Sequence, residues 1–262
     1  MKKIAIITLT YNKLEEATKP FLESLYKFTD EENFDLILVE NGSKDGTREY
    51  LEEFKNTKSN VTLIVNDENL GYSKGNNQGL REVLNKDYDY IGLLNNDILF
   101  TPNWLFDTLK IFDLNPEIGM ISPRIQKKCN FNSKNYLEHY KKYLSKFKGD
   151  YKQVLEPLFC CVLIKKEVFD KIGLFDENFT PAFFEDNDLS FRAMYQGYLL
   201  VYSNSTFVFH NHSTTSGSLP SQIFEKNKDY FFKKHPLARW CFNHRRTNLI
   251  KDIKRYIRES FE

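Results

Sequence analysis

Carboxylates, amides and histidines gather where apolar runs of this chain end, and each group could do chemistry. In "YIGLLNNDILF" (90–100) the chain turns polar at Asn95, Asn96 and Asp97, then apolar again. A strand of a parallel sheet is covered on both faces, so a continuous apolar run is natural there, whereas an unpaired buried charge is costly. A hard divalent cation, Mn²⁺ or Mg²⁺, held by Asp97 would neutralise it beside a diphosphate ligand. The other reading makes Asp97 a cap for the helix that starts near 102. "FFEDNDLSFR" (183–192) places Glu185, Asp186 and Asp188 in one helical first turn. The helix dipole favours carboxylates there whatever their use, and behind an aromatic segment they also suit a general base at a cleft edge. "FVFHNHSTTSG" (207–217) carries His210 and His212, and neutral imidazole is a common ligand for transition-metal ions.

Three further stretches are weaker alone. Tyr11 in "TLTYN" could stack on a base or be an ordinary half-buried tyrosine. The G-x-G-x-x-G fingerprint of nicotinamide and flavin enzymes is absent from that position. Glu40 in "VENGS" could accept hydrogen bonds from a base or ribose, or could cap the next turn. "NLGYSKGNN" (69–77) would let backbone approach a ligand and places a helix start behind it. It lacks the G-K-[ST] ending of a P-loop.

The elements that must position these groups alternate through the first hundred residues. Strand patterns fall at 3–10, 34–40, 60–66 and 88–96, helical spacing falls at 13–28 and after 47, and a glycine-spaced loop at 69–80 enters a helix that runs to about Asn85. Pro20 predicts a kink or break in the first helix. "TPNW" (101–104) predicts a helix start with Thr101 as N-cap and Pro102 in the first turn. This rhythm predicts an α/β fold with a Rossmann-like, mostly parallel sheet, helices on both faces and ligands beyond the carboxyl ends of the strands. Beyond 117 a strand is expected at 118–125, a strand and short helix within 158–177, a helix at 183–198 and two short strands within 199–217. Residues 127–157 carry no readable pattern, and 220–262 form a basic, helical C-terminal tail.

A formal charge of +1 excludes bulk polyanion binding, so no nucleic-acid partner is expected. Cys129, Cys160, Cys161 and Cys241 form no C-x-x-C pair, which speaks against a zinc or thioredoxin site; Cys160 and Cys161 read as buried small hydrophobes. The opening "MKKIAIITLTYNK" is too short in its apolar part for a signal peptide, and no run approaches the roughly 18 residues of a membrane span, so a cytoplasmic protein is expected.

The ordered set "TLTYN", "VENGSKDGT", "NLGYSKGNNQG", "LLNND", "FFEDNDLSFR" and "FHNHSTTSG" resembles the family 2 glycosyltransferases of the GT-A fold, and most of all their rhamnosyltransferase-like and galactofuranosyltransferase-like branch. The likeness runs from Ile4 to Gly217. It implies that Leu9 and Tyr11 border the nucleotide base, with Glu40 reading the base or ribose edge where the family usually has Asp. Gly71 and Asn76 would lie against the donor. Asn95, Asn96 and Asp97 would be the counterpart of the D-x-D motif, with Asn95 replacing its first acid and Asp97 the main ligand of a Mn²⁺ or Mg²⁺ ion. His210, rather than His212, would be the second metal ligand, because its seven-residue step to Gly217 matches. Asp186 would be the catalytic base, and Glu185 would support it or touch the acceptor.

The resemblance further implies a GT-A domain at 1–218, with a nucleotide-sugar half at 1–100 and an acceptor half at 101–218, followed by an extension at 219–262. The implied reaction is inverting transfer from a nucleoside-diphosphate sugar to a glycan or lipid-linked glycan hydroxyl in cell-surface polysaccharide synthesis. A sugar nucleotidylyltransferase would want a Gly- and Arg-rich loop after the first strand, which "TLTYNKLEEA" lacks. A carbohydrate-binding domain that kept the fold and lost the chemistry is the non-enzyme rival. The tail has two readings. One is a helix packing its apolar side on the core; the other is peripheral contact with an anionic membrane surface, where a lipid-linked acceptor waits.

Overall fold

The computed structural model describes residues 2–127, 141–147, 149–211 and 220–239. The strands are β1 (Ile4–Thr10), β2 (Asp35–Asn41), β3 (Val61–Asn66), β4 (Tyr90–Asn95), β5 (Ile98–Leu99), β6 (Ile118–Lys127), β7 (Tyr151–Gln153), β8 (Cys161–Lys165) and β9 (Leu199–His210). The helices are α1 (Lys19–Phe28), α2 (Thr47–Asn56), α3 (Tyr72–Leu84), α4 (Trp104–Leu114), α5 (Lys166–Ile172), α6 (Glu185–Tyr195) and α7 (Ser221–Lys234). One sheet orders the strands β3-β2-β1-β4-β8-β6-β9-β5, with β7 beside β9. The first four are all parallel, β8 runs antiparallel to β4 and β6, and β6 and β9 are parallel again.

Strand side chains alternate between the two faces, and both are apolar. Ala5, Ile7, Ile37, Val39, Ile91 and Leu93 pack with buried residues of α3, α5, α6 and α7. Ile4, Ile6, Leu36, Leu38, Tyr90 and Leu94 pack with those of α1, α2 and α4. This is the α/β sheet with helices on both faces that the sequence predicts. Helix α3 packs tightly on β1 through glycine: a Cβ on Gly79 would stand 2.5 Å from Ile7 Cγ2.

The expected break at Pro20 is present. A π-turn covers Leu14–Thr18, and α1 starts at Lys19 with the proline in its first turn. Two other expectations are corrected. Thr101 is no N-cap, because α4 begins at Trp104 after Asn103 in the left-handed region, and the Thr101 hydroxyl donates to the Phe207 carbonyl at 2.6 Å instead. The hydroxyl donates to a buried tertiary carbonyl instead of accepting a local helix N–H. The two short strands expected in 199–217 are one strand, Leu199–His210. Its polar "SNST" centre stays in the sheet because the register on β6 shifts there and β7 pairs with Val201–Ser203.

The turn after β2 is a tight point of the fold. Gly42 has φ +79°, and a Cβ there would lie 2.6 Å from the Glu68 backbone. Gly42→Ala combines left-handed strain with a backbone clash, so urea unfolding should show a loss of at least about 2 kcal/mol. An unchanged midpoint would refute this packing.

Candidate active site

Parallel register brings the strand ends to one edge. Thr10 lies opposite Glu40, Asn41 opposite Asn66, and Leu9 opposite Asn95. Glu40 is fully buried, and its oxygens accept the backbone N–H groups of Ser43 at 2.6 Å and Gly42 at 3.2 Å. Asn12 accepts the Lys44 N–H, and Ser43 accepts the Asn12 N–H, so the loops after β1 and β2 are stitched together beside Tyr11. Asn41 Oδ1 accepts the Leu70 N–H and an amide proton from Asn66, which holds the "NLGY" loop against β2 and β3. Leu9 packs on α3 where Gly75 leaves room.

Gly71 has φ +83°, and its missing Cβ faces the Pro181 carbonyl at 2.8 Å. Tyr72 N–H donates to that same carbonyl at 2.9 Å. The glycine therefore serves a close approach to the loop before α6. Asn76 is buried, with its amide donating to the Tyr72 carbonyl.

Beyond β4, the Asn96 amide donates to Thr18 Oγ at 3.0 Å, and Asn95 N–H donates to the Cys160 carbonyl at 2.9 Å. Asp97 enters β5, whose Ile98 pairs with His210 at the end of β9. The Asn211 N–H donates to the Asp97 carbonyl and extends that ladder. The result sets Asp97 Oδ1 3.0 Å from His210 Nε2, with both side chains largely buried. Two neighbouring ligands on an octahedral ion with bonds of about 2.1 Å stand about 3 Å apart, so this pair fits one edge of such a shell. Among the described residues no group of three or more His, Cys, Asp or Glu side chains completes it; Mg²⁺-type sites usually finish with substrate phosphates and water. His212, the other sequence candidate, lies outside the described residues.

Glu185 and Asp186 open α6. The helix dipole favours their charged forms by only about 0.3–1 kcal/mol, whereas burying a carboxylate costs several kcal/mol. Burial wins. Glu185 is buried with Oε2 unpartnered, and burial, then the Asp186 charge, hold its carboxyl well above the usual range. Burial also raises Asp186, against hydrogen bonds from backbone N–H groups that include Asn187 at 2.8 Å. Asp188 is turned elsewhere. It meets Arg192, His235 and Lys234 at 2.7–2.8 Å, and despite full burial those partners hold its carboxyl low.

Three site residues escaped the sequence reading. Glu156 accepts a hydrogen bond from the Asn187 amide, and burial plus the Asp186 charge push it up to about 7. Cys160 is only half-buried, unlike fully buried Cys161. Burial, then the charges of Asp97 and Asp186, raise its thiol to about 12, which places it in the field of both carboxylates. Tyr72 is raised by burial and then by Glu185, Asp186 and Cys160. The only signal for Cys160 was its adjacency to a strand pairing with the "NND" strand, which needs the sheet order. A groove of about 840 Å³ at the opposite edge, lined in part by Lys2, Tyr26, Asn33 and Asn60, contains none of these groups.

The profile of glycosyl transferase family 2 matches residues 5–173, more than half the chain. The chain belongs to glycosyl transferase family 2. Uncharacterized protein y4gI of Sinorhizobium fredii is 24% identical over 92% of the chain, which spans 28% of that protein. The minor teichoic acid biosynthesis protein GgaA of Bacillus subtilis is 37% identical over 31% of the chain and 18% of its own length. Among solved structures, GalNAc-T7 with UDP, GalNAc and Mn²⁺ matches 90% of the chain and 51% of its own at TM-score 0.67 and 16% identity. S. aureus TarS 1–349 in complex with UDP-GlcNAc matches 84% of the chain and 62% of its own at TM-score 0.62 and 18% identity. The family 2 chain thus shares its fold with these proteins and spans only part of each. No helix among its described residues is long and apolar enough to cross a membrane.

Glu156 has a measurable consequence. Its carboxyl binds a proton in the folded state between its ordinary 4.5 and about 7, where the unfolded chain releases it. Stability therefore falls as pH rises through that window. Glu156→Gln should flatten the fall in urea midpoint from pH 5 to pH 7; an unchanged slope would show that Glu156 does not titrate there.

Proposed function

We propose that this family 2 chain is an inverting, metal-dependent glycosyltransferase that moves a sugar from a nucleoside-diphosphate donor to a glycan or lipid-linked glycan hydroxyl in cell-surface polysaccharide synthesis. The observation that carries the reading is the Asp97–His210 pair at 3.0 Å, at the sheet edge where Cys160 feels both Asp97 and Asp186. GgaA's role in teichoic acid synthesis and the nucleotides and Mn²⁺ in the related structures support the donor class, the ion and the polymer.

In this reading the loops after β1, β2 and β3 hold the nucleotide, with Leu9, Tyr11, Glu40, Gly71 and Asn76 around it and Asn95 and Asn96 toward the ribose and diphosphate. A divalent ion on Asp97 and His210 would offset charge on the departing diphosphate. Asp186 takes the proton of the acceptor hydroxyl as its oxygen bonds to the anomeric carbon and the carbon–oxygen bond to the diphosphate breaks. Burial raises its pKa, which makes its ionised form a stronger base than a free carboxylate. Burial and the Asp186 charge favour the protonated form of Glu185, which can donate to an acceptor oxygen.

A thermal-shift screen of UDP-, dTDP- and GDP-sugars with and without Mn²⁺ should reveal a donor whose stabilisation needs the ion. No shift with any donor would sink the reading. With that donor, Asp186→Asn should bind as the wild type does and lose transfer by about 10²–10⁴-fold. Asp97→Ala should erase the Mn²⁺ dependence of binding, and a retained dependence would remove Asp97 from the metal site.

A further inference from the structure

Phe183 and Phe184, immediately before the Glu185–Asp186 pair, have φ values of 81° and 70°. Bulky residues rarely hold that region, and such backbone persists only when its surroundings over-determine it. No side chain caps α6 at Phe184. The restraint comes from α7. Asn227 is 1% exposed, and its Nδ2 donates to the Ala182 carbonyl at 2.8 Å and the Phe183 carbonyl at 3.3 Å. Its Oδ1 is buried without a partner. A side chain that leaves one buried acceptor unsatisfied while engaging two successive carbonyls is placed for those carbonyls. Around it the Phe224 ring contacts Phe183 and Phe184 at 5.5 and 5.2 Å, and Phe231 stacks on Phe184 at 5.4 Å. The same loop offers the Pro181 carbonyl to the Tyr72 N–H, so the turn is gripped from α3 as well.

We propose that Asn227 is a positioning residue for the carboxylate pair: through the Ala182 and Phe183 carbonyls it holds the left-handed turn that aims Glu185 and Asp186. The inference rests on the reading of Asp186 as catalytic base. The C-terminal helix then belongs to the catalytic machinery.

Hydrogen exchange on the full chain tests the geometry without any ligand. In Asn227→Ala, the amides of Tyr72 and Asp188, which donate to Pro181 and Phe184, should exchange about tenfold faster while those of β1 and β4 keep their rates. Asn227→Asp has the same shape but sets oxygen against two carbonyl oxygens, so it should be at least as disruptive. A space-filling role would leave the Asp variant like wild type, and that result overturns the proposal. Acceleration spread over β1 and β4 overturns it too, as general destabilisation. Should neither variant fold, Phe224→Ala, at a 41% exposed position, should accelerate the same two amides; unchanged exchange there overturns the inference. With the UDP-, dTDP- and GDP-sugar panel, both Asn227 variants should lose at least tenfold in kcat with donor KM within twofold, and an unchanged kcat overturns the role in catalysis. Local acceleration in a protein whose wild type transfers no sugar would uphold the turn restraint and defeat the reading of Asp186.

Discussion

The antiparallel pairing of β5 with the end of β9 sets the distance between Asp97 and His210, and the rest of the site is arranged about that pair. The ladder is short, with Ile98 opposite His210 and Leu99 opposite Phe209. Two residues of strand hold little by themselves, so neighbours carry the register. The Thr101 hydroxyl binds the Phe207 carbonyl, and the Asn211 N–H binds the Asp97 carbonyl. Phe100 lies against Phe21 at 5.4 Å and Trp104 at 4.4 Å, and the indole N–H reaches Thr29. A one-residue slip would turn the Asp97 side chain to the other face. The aromatic cluster under β5 therefore acts on the site through register.

The acidic groups separate into two electrostatic environments although they share one helical turn. Asp188 faces Arg192, Lys234 and His235, and remains charged because its partners outweigh its burial. Among the described residues no such cations meet Glu185, Asp186 or Glu156; burial raises all three, and the Asp186 charge adds to the rise at Glu185 and Glu156. Neighbours on one helix enter such different surroundings because successive residues face different sides. Lys234 also pairs with Asp176 at 2.6 Å, so the cationic side of this division is built largely by α7 and the residue after it.

The first half of the fold was legible because parallel strands buried on both faces leave continuous apolar runs, and those runs end at the polar triplets that became the site edge. "NND", "FFED" and "FH" were legible for the same reason: side chains costly to bury stood at the ends of apolar segments. What stayed hidden depends on contacts between distant segments. Glu156 sat in a stretch without pattern and gains meaning only from Asn187. Cys160 looked like core and is brought beside Asn95 by β8 joining β4. Thr101 looked like a cap until β9 supplied a buried acceptor. The polar centre of β9 read as a break because a bulge with a third strand beside it leaves no local period. Of the basic tail, Phe231 and Ala238 are buried in the core shared with α3 and α6, as the packed-helix reading expects, and 240–262 lie outside the described residues.

The loop after β3 and the acidic turn meet where backbone touches backbone. Gly71 can sit against Pro181 only because it has no Cβ, and the Tyr72 N–H then completes the Pro181 carbonyl. That contact links the loop after β3 to the turn that carries Glu185 and Asp186. A second link runs through buried Asn77, which exchanges hydrogen bonds with the Phe175 backbone. Hydrogen bonds are directional and weaken steeply as they misalign, so a shift of the "NLGY" loop has to be met by the acidic turn or break these bonds. The glycine that looked in the sequence like an opening for a ligand is thus the point at which the loop after β3 and the acidic turn are held in one geometry.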